Sequence, residues 1–155
     1  MLANFVQGYI EKYGVPDEVK KITKYCREKE NGKVFPQEEE ATINTIIFYH
    51  ITKNTIITVK DKDGNIIGVV MWYNCDYEDG WDFVLNWEED KKDGDTVFIA
   101  FLFAENRKVL KELTANLIEK EPDVLTKKLI GIRQRRGIPT KIDLSVKYFN
   151  KLLKA

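Results

Sequence analysis

The chain has 155 residues, 43% hydrophobic and 32% charged, a size and balance that exclude a disordered tail, a collagen-like fibre and a disulfide-rich mini-protein. Its 25 basic and 25 acidic side chains cancel, which weighs against a partner that binds as a polyanion over the whole surface. No apolar run approaches the ~20 residues of a membrane span, and the first residues do not read as a signal peptide, so one soluble cytoplasmic domain with no membrane partner is expected.

Leu2, Phe5, Val6, Tyr9, Ile10 and Tyr13 recur at spacings of three and four, which predicts a first helix stopped by Gly14. Pro16 then opens a second helix, with Asp17 and Glu18 at its positive dipole end and Val19, Ile22, Tyr25 and Cys26 on one face, ending at Gly32. A third helical segment follows Phe35-Pro36, with residues 37–40 as an acidic first turn and Ile43, Ile46, Ile47 and His50 as its apolar side. Its β-branched residues leave a strand open for the C-terminal half. From Thr55 the period becomes two, and TIITVKDKDGNIIGVVMWYN predicts a hairpin turning at Asp63-Gly64 or Gly64-Asn65.

Residues 75–95 are aromatic and acidic without a period, carrying Tyr77, Trp81, Phe83 and Trp87 among nine carboxylates. A solvated acidic loop is expected there, since Asp93-Gly94-Asp95 does not extend to a calcium-binding loop. The run TVFIAFLFA, Thr96 to Ala104, is apolar on both faces and predicts a central strand covered on both sides. Asn106 is placed to cap a helix with Val109, Leu110, Leu113, Leu117 and Ile118 as its stripe, ended by Pro122. KLIGIRQRR predicts a further strand that runs to Gly137-Ile138-Pro139, and Asp143 or Ser145 then caps a closing helix that buries Leu144, Tyr148, Phe149, Leu152 and Leu153. A strand, helix and strand in this order need a parallel crossover. The expected fold is therefore mixed α/β (α+β), one domain with a central mixed sheet flanked by helices and a helical N-terminal region over residues 1–54.

The hairpin KDKDGNIIGVVMWYN, the strand DTVFIAFLFAEN, the helix RKVLKELTANLIEK and the strand KLIGIRQRR together resemble the GNAT acetyltransferase superfamily over residues 55–155. The arginine-rich strand IRQRRG is also similar to the small GNAT-like proteins of bacteriophages. The resemblance implies acetyl-CoA as cofactor, an amine as acceptor and no metal. It places a backbone N–H near Phe101 to Phe103 on the thioester oxygen, and Asn106, Arg107 and Lys108 at the helix start that meets the pyrophosphate. Tyr148 then stands where the family keeps its thiol-protonating tyrosine, and Glu105 is the nearest carboxylate able to act as a base through water. In place of the family's Gln/Arg-x-x-Gly-x-Gly/Ala the chain reads Ala104-Glu105-Asn106-Arg107-Lys108, without the glycines that let a backbone approach phosphate. That departure leaves a second expectation: a GNAT-like phage or mobile-element protein without catalysis, acting as a virion or protein-binding component or through self-association.

Each of these residues also has a plainer role. Tyr148 shares a stripe with Phe149 and Leu152 and serves as packing, while Glu105 is a first-turn acid favoured by the helix dipole. Alternation sets Arg133 and Arg135 on one strand face and Arg136 on the other, which fits either an anion site or an edge strand guarded by charge. No nucleic-acid-binding signature accompanies these arginines, so nucleic acid is not the expected partner. His50, the one histidine, has no neighbour at metal spacing and reads as a satisfied residue on an amphipathic face; Cys26 and Cys75 read as reduced thiols. The neutral total hides two blocks: residues 73–95 carry nine acids and two lysines, −7, and residues 127–155 carry nine bases and one acid, +8. An anionic ligand confined to the basic block is compatible with that distribution.

Overall fold

The computed structural model describes residues 2–30, 40–76, 93–135 and 138–143. The elements are α1 (Leu2–Tyr13), α2 (Asp17–Glu30), α3 (Glu40–Lys53), β1 (Ile56–Lys60), β2 (Ile66–Cys75), β3 (Thr96–Ala104), α4 (Arg107–Lys120), β4 (Lys128–Arg135) and β5 (Ile138–Asp143). The architecture is mixed α/β, as the hydrophobic pattern predicts, with two compact units, Met1–Ile56 and Ile57–Ala155. No helix among the described residues is long and apolar enough to cross a membrane.

In the helical unit, α1 ends where Gly14 adopts φ 82° and donates its N–H to the Ile10 carbonyl at 2.8 Å. That left-handed conformation costs glycine nothing and satisfies a carbonyl the helix would leave free. The α1 stripe divides: Val6 is buried, whereas Phe5 and Tyr13 are 59% and 65% exposed. Tyr9 reaches Phe48 of α3 edge-on, with ring centroids 5.2 Å apart.

The second helix buries Val19, Ile22, Tyr25 and Cys26, as its spacing predicts, and adds Thr23 between them. Thr23 Oγ1 donates to Asn44 Oδ1 of α3 at 2.6 Å, a polar clasp inside an apolar contact. The third helix stays helical to Lys53 despite its β-branched residues. Ile43 and Ile47 are fully buried, so tertiary packing outweighs their weak helix propensity. Asn54, at φ 60°, closes the helix: its N–H donates to the Ile51 carbonyl and that of Thr55 to the His50 carbonyl.

The sheet unit holds five strands in the order β1-β2-β3-β4-β5. The β1–β2 turn is a three-residue loop, Lys62-Asp63-Gly64, rather than a two-residue one. Asp61 accepts the Gly64 N–H on its carbonyl, and its carboxylate accepts the N–H groups of Asp63 and Asn65 at 2.9 Å. Gly64 takes the left-handed position at φ 83° that such a loop requires. β2 and β3 are antiparallel, β3 and β4 parallel, and β4 and β5 antiparallel, so α4 is the crossover between parallel neighbours.

Two expectations at the C-terminal end need correction. Residues Ile138–Asp143 form β5, which pairs with β4 from Ile130↔Asp143 to Arg135↔Ile138, so Asp143 ends a strand instead of capping a helix. Ile138, Thr140 and Ile142 alternate along it, and Pro139 is tolerated because β5 is an edge strand. β4 is therefore interior, and the reading of Arg133 and Arg135 as guards of an edge strand does not hold as stated. The closing helix expected over Leu144 to Leu153, with Tyr148, falls on residues outside those described.

Candidate functional site

The candidate site forms at the C-terminal ends of the two parallel strands. β3 and β4 pair from Thr96↔Lys128 through Val97↔Leu129 and Phe98↔Ile130 to Ile99↔Gly131. Among the described residues the ladder covers no more than this, although β3 runs on to Ala104 and β4 to Arg135. β2 stays with β3 as far as Gly68↔Ala104, and β5 stays with β4 as far as Arg135↔Ile138. Each strand keeps its outer partner while the inner ladder ends.

A bulge accompanies the parting. β2 pairs Met71 with Phe101 and Trp72 with Ile99, so Ala100 is an extra residue on β3. The insertion reverses which side chains face α4. Val97 and Ile99 join the core beneath the helix before the bulge; Leu102 and Ala104 pack against it afterwards. Val97, Phe98 and Ile99 are buried, while Leu102, Phe103 and Ala104 are only half-buried. The prediction of a central strand thus holds for position and for the covering of its first half.

The α4 start follows directly. Glu105 donates its N–H to the Ile67 carbonyl at 3.0 Å, prolonging the β2 contact by one bond. Asn106, extended at φ −156°, caps the helix as predicted: its Oδ1 accepts the Val109 N–H at 3.0 Å. The first turn then presents Arg107 and Lys108, both exposed, with no acidic residue, where α2 carries Asp17 and Glu18. Cations at a helix start oppose the macrodipole, whereas an anion bound there would be favoured by both. Val109, Leu113 and Leu117 fix α4 on the sheet, beside Ile57, Val70, Trp72 and Leu129. Gly68 allows the close approach: a Cβ there would collide with Val109 Cγ1 and come within 3.0 Å of Leu113 Cδ1.

Phe101, Phe103, Glu105, Asn106, Arg107 and Lys108 therefore lie on one continuous strand-to-helix segment at the parting. The parallel direction brings Arg133 and Arg135, opposite Thr140 and Ile138 of β5, to the same end of the sheet. Arg136 and Tyr148 lie outside the described residues. Sequence reasoning misses Ala100 because an uninterrupted apolar run hides the parity change that a bulge introduces.

The other residues picked out from the sequence have local partners. His50 is fully buried and shares a 2.7 Å hydrogen bond between Nδ1 and Thr55 Oγ1. Cys26 and Cys75 are both buried and are not joined in a disulfide. At the other end of the sheet Asp76 Oδ1 accepts the Asp95 N–H at 3.4 Å, and Lys127 Nζ donates to Asn74 Oδ1 at 3.2 Å. Residues 77–92, the body of the predicted acidic loop, lie outside the described residues. On the sheet face away from α4, Tyr73 clusters with Cys75, Phe98 and Ile130. Burial, with a smaller contribution from Cys75, pushes its hydroxyl well above the ordinary tyrosine value of 10.0.

No known family model matches this sequence, and no curated protein aligns with it.

Proposed function

We propose that the chain is a GNAT-like acyl-CoA protein that transfers an acetyl group from acetyl-CoA to an amine. The observation that carries the proposal is the end of the β3–β4 ladder at Ile99↔Gly131, beside the bulge at Ala100. Inner-edge N–H and C=O groups beyond that pair are the donors and acceptors that an amide-bearing arm such as pantetheine needs. Support also comes from the exposed cations of the α4 start, which suit the pyrophosphate and lie at the same end of the sheet.

Acetyl-CoA, when bound, supplies an activated acyl carbonyl and a thiolate leaving group. Between Phe101 and Phe103, the Leu102 N–H faces away from β2 and would hold the carbonyl oxygen as negative charge develops on it. Glu105, exposed at the mouth, takes the proton released by the attacking amine through a water. Arg107 and Lys108 would hold phosphate oxygens at the α4 start. By the resemblance, Tyr148 would donate the proton that the departing sulfur takes up, so that the proton lost by the amine is balanced by one gained at the thiol.

Calorimetric titration of the full chain with acetyl-CoA tests the proposal. Binding at or below millimolar concentration is expected, weakened at least tenfold by Arg107→Glu with Lys108→Glu; no heat at millimolar ligand overturns it.

One observation favours the second reading, a GNAT-like protein without catalysis that acts by binding another protein or itself. Asn106 takes the Val109 N–H that a glycine-rich turn would leave for phosphate. This reading expects a species larger than one chain by light scattering, or a complex with a phage or host protein. A strict monomer that captures neither counts against it.

A further inference from the structure

We draw no further inference here: the strongest candidate, the exposed aromatic stripe of Phe5, Tyr9 and Tyr13 along α1, carries nothing because nothing among the described residues shows what covers it.

Discussion

Gly68 and Asn106 set how α4 meets the sheet, one by lacking a side chain and the other by supplying one. At Gly68 the obstacle to any Cβ is Val109, a β-branched residue whose rotamer a helix restricts, so it yields poorly. Gly68→Ala is expected to lower stability by about 1–3 kcal/mol, the usual cost of overpacking, read from the urea midpoint at unchanged slope. An unchanged midpoint would mean that α4 can lift without loss. The glycine is visible in the sequence, but its reason is not, because the colliding atoms lie on a helix about 40 residues further along. Asn106 is the opposite case. Its capping role follows from its place just before an apolar stripe, since the hydrogen bond is local to one turn.

Among the elements, helices with a 3–4 stripe are legible because the period records the buried face. That holds for α2 and α4, and for α1 as a helix, though its spacing does not show that Phe5 and Tyr13 stay exposed. β5 is the miss. Its alternation of Ile138, Thr140 and Ile142 is present in the sequence, but Pro139 argues against a strand unless an edge position is already known. The α2–α3 pair supplies a test at this scale. Thr23 and Asn44 are both buried, and the threonine hydroxyl is the donor to the asparagine carbonyl. Thr23→Val keeps the shape and removes the donor, so a loss of about 1–3 kcal/mol is expected from thermal or urea unfolding, as for a buried polar group left unsatisfied. A loss below a few tenths would show that Asn44 finds another donor without difficulty.

For the molecule as a whole, the buried Tyr73 hydroxyl links stability to alkaline pH. A phenol is neutral when protonated, and the folded chain holds this proton above the unfolded value of 10.0. Its contribution is therefore complete below pH 10 and is lost as pH rises beyond it, because the unfolded chain releases the proton first. Tyr73→Phe should leave the pH dependence of unfolding unchanged below pH 10 and flatten the fall above it; parallel curves at high pH would contradict the burial of the hydroxyl. The sequence by itself determined the mixed α/β class, the helix ends at Gly14 and Asn106, the hairpin and the apolar central strand, since each depends on neighbours within a turn or on a simple period. It also carried the grouping of Glu105 to Lys108 at a strand-to-helix junction. Only the tertiary structure decided the strand order, the interior place of the arginine-bearing β4, the Ala100 bulge and the point where β3 and β4 part. Those depend on which distant backbones share hydrogen bonds, and an unbroken apolar run contains no local mark of where a ladder ends.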